Sequence, residues 1–381
     1  MVVRRKRKRV AVVTGARSEY GLLRSLMEAI RTHPRLELQV VATGMHLLPQ
    51  FGRTVDEIAR DGFRIDARIP MQTGSDSPTD QALGLARGIA GMAEFFQRAR
   101  SDIVLVLGDR IEAMAAALAA VTTGRVLAHV HGGDVAPGDF DDSLRHAITK
   151  LAHVHFAATS QSARRIVRMG EDPRRVHVVG APGLDRLRQL TARVPARRAR
   201  SGAALVVQHP CGRPATVEER ITSKLLDAVA ATGLRRIVIC PNSDRGHRGI
   251  VRAIKRHADQ HLDGEVEVHR SLPRDDYLRL LLRVDMLVGN SSSGLIEAPV
   301  AGTPVVNVGD RQRGREASGP GVIHVAETRT AILAGVRRAL RRRMRPAGSG
   351  TFGDGRAGWR IAAILARLRI TRELLRKQIT C

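Results

Sequence analysis

One pattern runs the length of the chain: a short aliphatic, β-branched run, a turn rich in Gly, Asn, Asp or Ser, then a segment of helical periodicity. RVAVVTG (Arg9–Gly15) reads as a buried strand and EYGLLRSLMEAIRTH as the helix after it; LELQVVATG, FRIDARI, DIVLVLGD, RVLAHVHGG, VHFAATS and RVHVVGAPG continue the series. The pattern restarts with GAALVVQHP, LRRIVICPN, EVEVHRSLP, MLVGN and TPVVNVGD, again with helical segments between. Short strands alternating with helices predict βαβ units and mostly parallel sheets. Two series predict an α/β fold of two Rossmann-like, doubly wound lobes, residues 1–183 and 184–381, joined near Gly180–Leu187. The length of 381 residues fits two domains better than one. The tail WRIAAILARLRITRELLRK has helical periodicity and is expected to pack back onto a lobe.

Charge narrows the function. The net charge is +26, carried mostly by arginines spread along the chain. Such a balance suits nucleic acid, but one Trp, two Tyr and seven Phe leave little to stack bases on, so no nucleic-acid partner is expected. An anionic small substrate accounts for the charge as well. Cys211, Cys240 and Cys381 are isolated thiols without a CxxC pair, which argues against a disulfide framework or structural zinc and fits a reducing cytoplasm. The basic run Arg4–Arg9 is not followed by a signal-peptide core, and no stretch approaches the roughly 20 apolar residues that span a bilayer. No membrane partner is expected.

In doubly wound folds ligands sit outside the carboxyl ends of strands, and the chemically interesting residues cluster there. VGNSSSGLIEAP (Val288–Pro299) ends a strand in Gly-Asn, offers three serines and starts a helix at about Gly294. That places hydroxyls and free N–H groups where an anion binds. Glu297, too negative for a phosphate, suits two vicinal hydroxyls; capping serines and a dipole-compensating Glu are the plainer alternative. VTGARSEYGLL lacks the GxGxxG fingerprint, which argues against a dinucleotide, while Arg17 suits a phosphate. Asp109 in LGDRIEA is a helix cap or a working base, and His209 ends a strand of the second lobe.

The stretch HVHGGDVAPGDFDDSLRHAITKLAHVHF (His129–Phe156) supports two readings. His129 and His131 fall on one side of a strand, as a metal site requires, with Asp134 or His146 as a third ligand. The glycine pair instead favours close approach of a ligand to the backbone, and Arg145 beside His146 would repel a cation. His153 and His155, on the next strand, fit simple packing.

Taken in order, TGARSEYGLL, LGDRIEA, HVHGGDV, DDSLRHAITKLAHVHF, MGEDPRRVHVVGAPGLD, QHP, PNSD, GNSSSGLIEAP and NVGDRQRGRE resemble the hydrolysing UDP-N-acetylglucosamine 2-epimerases of sialic-acid and related nonulosonic-acid synthesis, from about Val10 to about Val325. The resemblance implies a glycosyltransferase-B type fold with the substrate in a central cleft. It implies conversion of UDP-N-acetylglucosamine and water to N-acetylmannosamine and UDP, no metal or nicotinamide cofactor, and a homodimer or homotetramer. The first turn, GARSEY rather than Gly-Thr-Arg-Pro-Glu, points to the hydrolysing branch. By matching motifs, Ser291, Ser292 and Arg311 would bind the diphosphate and Glu297 the ribose. Arg17 and His209 would reach the phosphates or leaving oxygen, with Asn242 lining the pocket. Asp109 and Asp141 match acidic positions of proton transfer, and Arg145 a nearby basic one. His131 stands where relatives often carry Glu, so the acid/base work falls to His131 or to Asp134, Asp109 and Asp141. Two other activities share these features: 2-epimerisation of a UDP-2,4-diacetamido-trideoxy sugar (N,N'-diacetylbacillosamine) of the legionaminic-acid route, and glycosyl transfer from a UDP-sugar.

Overall fold

The computed structural model describes residues 7–52, 54–74, 77–135, 141–192, 201–242, 244–261, 264–317, 319–342, 344–347 and 349–380. The chain divides into two compact units. One holds residues 1–134, 140–185 and 355–381, the other residues 135–139 and 186–354.

The first unit is a seven-stranded parallel sheet in the order β3-β2-β1-β4-β5-β6-β7. Its strands are β1 (Lys8–Thr14), β2 (Leu36–Thr43), β3 (Ala67–Ile69), β4 (Ile103–Leu107), β5 (Val126–Val130), β6 (Val154–Ala157) and β7 (Val176–Val178). The helices between them are α1 (Arg17–Thr32), α2 (Val55–Arg60), α3 (Pro78–Arg98), α4 (Ile111–Thr122), α5 (Asp141–Leu151) and α6 (Ser160–Arg168); α7 (Gly183–Thr191) follows β7, and the division between the units falls within it, after Asp185. Central strands read as unbroken apolar runs because both faces are covered. Val10 and Val12 of β1 join one core with Leu23, Leu26 and Ile30, while Ala11 and Val13 join the other with Met92, Val104 and Ala116. This is the two-residue alternation of a strand. Val12 pairs with Val40 on one side and Leu105 on the other, so the strand order reverses between β1 and β4.

The second unit repeats the scheme with six parallel strands in the order β10-β9-β8-β11-β12-β13. They are β8 (Ala203–Val207), β9 (Arg235–Ile239), β10 (Val266–His269), β11 (Met286–Gly289), β12 (Val305–Val308) and β13 (Val322–Val325). Its helices are α8 (Ala215–Ala230), α9 (His247–Asp259), α10 (Arg274–Leu281), α11 (Ser293–Ile296), α12 (Ala298–Ala301) and α13 (Arg329–Leu340). Here the order reverses between β8 and β11, where Val207 pairs with Gly289.

The C-terminal segment, with α14 (Ala357–Arg367) and α15 (Arg372–Leu375), belongs to the first unit. Ile361, Leu365 and Leu374 complete the core around α1. The Asp185 carboxylate accepts from the N–H groups of Ala357 and Gly358, and Lys8 donates to the carbonyls of Leu365, Ala366 and Leu368 at the other end of α14. Among the described residues no helix is long and apolar enough to cross a membrane.

Candidate active site

Ligands of doubly wound sheets bind at the carboxyl end of the sheet, where the strand order reverses. In the first unit that point lies between β1 and β4, and the residues predicted from sequence gather beside it. Asp109 follows Gly108, whose φ of +75° turns the chain out of β4. It is not the cap of α4: the N-cap is Arg110, without a side-chain bond. Asp109 instead pairs with the Arg145 guanidinium, which also donates to the His131 carbonyl at 3.1 Å and lies 3.5 Å from Asp142. Arg145 is 3% exposed. Burial works against its charge, yet Asp109, Asp134, Asp142 and Asp141 outweigh it and hold the guanidinium above its ordinary range. Asp141 opens α5 in a half-buried position. Of the His129–Phe156 stretch, residues 136–140 lie outside the described residues.

His131 departs from the strand expected for it. β5 ends at Val130 and His131 takes φ of +64°, a left-handed conformation that disfavours a side chain by about 1–2 kcal/mol. Besides the Arg145 bond to its carbonyl, its N–H donates to the Phe156 carbonyl at 3.1 Å, and its Nδ1 lies 2.9 Å from Asp134 Oδ2. Asp134, 3% exposed, also accepts from the Ser162 hydroxyl at 2.8 Å. A carboxylate only accepts, so Nδ1 carries a proton in this contact and Nε2 is the ring nitrogen left for other chemistry. His129 stays within β5, fully buried, with Nε2 2.8 Å from the Gly108 carbonyl and Nδ1 3.2 Å from the Thr149 hydroxyl. Burial pushes its imidazole down to about 3, so it is neutral. His131 thus lies beyond the end of β5, and both ring nitrogens of His129 already have hydrogen-bond partners. Among the described residues no three His, Cys, Asp or Glu are grouped to hold a metal ion. Arg17 begins α1 and its Nε lies 2.8 Å from Glu57, within the same unit.

In the second unit, the turns after β8 and β11 are tied by one amide. Asn290 Oδ1 accepts from the His209 N–H at 2.7 Å, and its Nδ2 donates to the His209 carbonyl at 2.8 Å. The preceding Gly289 has φ of +135° and lies so near β8 that a Cβ there would stand 2.0 Å from the Val207 carbonyl. The Asn290 carbonyl accepts from Arg311 at 3.3 Å and from Gln312 at 2.8 Å, which brings Arg311 beside Ser291. His209 Nδ1 accepts from the Asn242 N–H at 3.3 Å, so the ring is neutral and its proton sits on Nε2. Burial and then the Arg311 charge push its pKa down to about 3, in agreement. The Asn242 side chain itself donates to Asp244.

The serine segment differs from the single helix expected from Gly294. It forms two one-turn helices, α11 and α12, parted at Glu297, with Pro299 early in the second and Gly302 closing it at φ of +71°. A helix this short carries little macrodipole. The turn between β11 and α11 carries the Ser291 and Ser292 hydroxyls, and Arg311 bonds the Asn290 carbonyl next to them. Glu297, 2% exposed, is paired with Arg274 and accepts from the Ser293 hydroxyl at 2.6 Å. The Tyr277 hydroxyl reaches that serine at 2.5 Å.

Ser162, Thr149, Asn290, Arg274 and Tyr277 escaped the sequence reading. Ser162 lies 28 positions from Asp134 and Arg274 lies 23 from Glu297, distances at which no helical or strand period applies. Asn290 alone left a signal, as the polar residue closing an apolar strand.

The profile of the UDP-N-acetylglucosamine 2-epimerase family matches residues 28–366. The UDP-N,N'-diacetylbacillosamine 2-epimerase (hydrolyzing) of Legionella pneumophila is 36% identical over 97% of this chain and 98% of its own length. The UDP-N-acetylglucosamine 2-epimerase of Neisseria meningitidis is 32% identical over 83% of each chain. A crystal structure of UDP-GlcNAc 2-epimerase from N. meningitidis bound to UDP-GlcNAc shares the fold, with a TM-score of 0.75 over 94% of this chain and all of that one at 15% identity. With a full-length relative above 30% identity and a profile spanning nearly the whole chain, the protein belongs to the hydrolysing UDP-N-acetylglucosamine 2-epimerase family.

Proposed function

We propose that the chain converts a UDP-activated 2-acetamido sugar and water to the free sugar epimerised at carbon 2 and UDP. The observation that carries this reading is the buried Ser162–Asp134–His131 relay set beside the Asp109–Arg145 pair. In the first step a base takes the proton from carbon 2 while the carbon 1–oxygen bond breaks. The electron pair of the C–H bond becomes the double bond of a 2-acetamidoglucal, and UDP leaves with the oxygen. In the second step water adds its hydroxyl to carbon 1 and a proton returns to carbon 2 on the opposite face.

This chemistry needs a base, an acid and positive charge for the departing diphosphate. His131 is suited to accept a proton at Nε2, since Asp134 stabilises the imidazolium that results. Asp109, about a fifth exposed beside buried Arg145, and Asp141 share the proton work. In the second unit Ser291, Ser292 and Arg311 take the diphosphate, and the His209 Nε2–H serves as a neutral donor to a phosphate or the leaving oxygen. Arg17 and Asn242 complete the UDP contacts, and Glu297, held by Arg274, accepts from the ribose hydroxyls.

The experiment is proton NMR in deuterated water with UDP-N-acetylglucosamine and no added metal. Deuterium at carbon 2 of free N-acetylmannosamine, with UDP released and no acceptor present, supports the reading and excludes glycosyl transfer. The similarity to the Legionella enzyme over nearly the full length favours a second substrate, the UDP-2,4-diacetamido-trideoxy sugar. Turnover of that sugar alone selects it. No turnover of either refutes the proposal.

A further inference from the structure

Helix α5 carries Asp141, Asp142 and Arg145 at one end, and its other end is held by the C-terminal segment. Lys377, beyond α15, donates from Nζ to the carbonyls of Thr149, Lys150 and Ala152, at 3.3, 2.5 and 2.9 Å. These are the last carbonyls of α5 and its exit, where the helix ladder runs out; the Thr149 carbonyl also takes a backbone bond, from the Ala152 N–H at 3.2 Å. A cation there also complements the helix dipole. The same ammonium lies 2.6 Å from Glu171, which is 1% exposed and bonded to Lys150 at 2.6 Å and His155 at 3.0 Å. Burial alone would raise the Glu171 pKa, but bonds from His155, Lys150 and Lys377 hold it at about 2, so the carboxylate stays charged. Next to it the Thr380 N–H donates to the Gly170 carbonyl at 3.0 Å.

From the clamped end a chain of hydrogen bonds leads back to Asp109. Thr149, whose carbonyl Lys377 takes, offers its hydroxyl to His129 Nδ1 at 3.2 Å, with the Arg145 carbonyl as the competing acceptor at 2.9 Å. Neutral His129 donates its single N–H, at Nε2, to the Gly108 carbonyl at 2.8 Å, and Gly108 adjoins Asp109. Asp109 closes the ring through Arg145. Apolar packing of Ile148 and Ala152 holds α5 on the sheet, but such packing is not directional. The hydrogen bonds are what set the position of α5 along its axis.

We propose that Lys377 is a positioning residue: by clamping the end of α5 it fixes the Arg145–Asp109 pair and thereby the rate of the chemical step. This rests on the 2-epimerase reading, and the test separates the two. Lys377→Met lowers kcat about 10-fold, because sub-ångström displacement of a reacting group is costly. KM and inhibition by UDP stay within about twofold, since the proposed UDP contacts other than Arg17 lie in the other unit and Arg17 is held by Glu57, away from α5. Lys377→Arg, which keeps charge and donors, restores kcat. Thr149→Val leaves the clamp but cuts the route to His129, gives the same loss confined to kcat, and adds little to Lys377→Met in the double variant. Wild-type kcat in Lys377→Met overturns the proposal. So does a loss in which KM and the melting temperature change together and Arg fails to rescue. If the wild type turns over neither sugar, the activity reading fails, and amide hydrogen exchange decides the positioning alone. Faster exchange in Lys377→Met confined to α5 and Gly108–Asp109 upholds it, and unchanged or uniformly faster exchange overturns it.

Discussion

Replacing Asp134 by Asn keeps its shape and removes its charge, and the surrounding hydroxyls dictate how the amide must sit. Ser162 Oγ accepts from the Thr159 hydroxyl at 3.1 Å, while Thr159 Oγ1 accepts from the Ser162 N–H at 3.0 Å. The Ser162 proton therefore still points at position 134, at 2.8 Å, and the amide oxygen must meet it. That turns the amide NH2 toward His131 Nδ1, 2.9 Å away. An imidazole that accepts at Nδ1 carries its proton on Nε2 and has no lone pair left for a base. Both bonds survive in neutral form, so the loss of stability is about 1 kcal/mol, the difference between charged and neutral hydrogen bonds. The rate falls about 10²- to 10⁴-fold, the share general-base catalysis supplies. Steady-state UDP release gives kcat and KM, and a thermal melt gives stability. Removing Ser162 as well frees the amide to rotate, so Asp134→Asn/Ser162→Ala recovers about 10-fold of the lost kcat. Turnover of Asp134→Asn within threefold of wild type, or a double variant no faster than the single, refutes the assignment of His131.

Glu19 is pushed up to about 8, chiefly by burial, with the nearby Glu112 adding to it and the Gly15 N–H opposing. A carboxyl whose folded pKa lies above its unfolded 4.5 gives stability that is full below 4.5 and lost as pH rises to about 8. Glu19→Gln abolishes that decline, so its denaturation midpoint exceeds that of wild type at pH 8.5 and matches it at pH 4; parallel pH curves for the two proteins contradict this. Gly289→Ala forces a Cβ against the Val207 carbonyl and destabilises the second unit by more than about 3 kcal/mol, measurable as a lower melting temperature with loss of UDP binding. His209, neutral down to about pH 3, contributes no acid limb to kcat/KM, so His209→Asn lowers the profile without moving a limb that lies above pH 5.

The strands were legible because a doubly covered parallel strand needs an unbroken apolar run, and VAVV, IVLVL and ALVV satisfy that in seven residues or fewer. Asp109, Asp134, Arg145 and Arg311 were legible as polar residues at strand ends and in motifs. What was not legible depended on tertiary approach. Asp109 next to a helix reads as a cap, yet Arg145 reaches it from 36 residues away. GLIEAP has helical composition, and only the break at Glu297 reveals that Arg274 has claimed its carboxylate. His131 alternates with His129 in the sequence, but a single left-handed residue ends the alternation.

The division of the chain also orders events during synthesis. The first unit is discontinuous: Leu23, Leu26 and Ile30 of α1 are fully buried in a core that includes Ile361 and Leu365. A ribosome delivers those partners only after the whole second unit has emerged. Until then the nascent first unit displays an aliphatic face that is a liability for misassembly and a natural target for chaperones. The second unit, contiguous but for residues 135–139, can close its own sheet first. Completion of the first core thus waits on α14 and α15, and a ribosome that stalls before α14 releases a chain with Asp109, His131 and Arg145 synthesised but their scaffold unfinished.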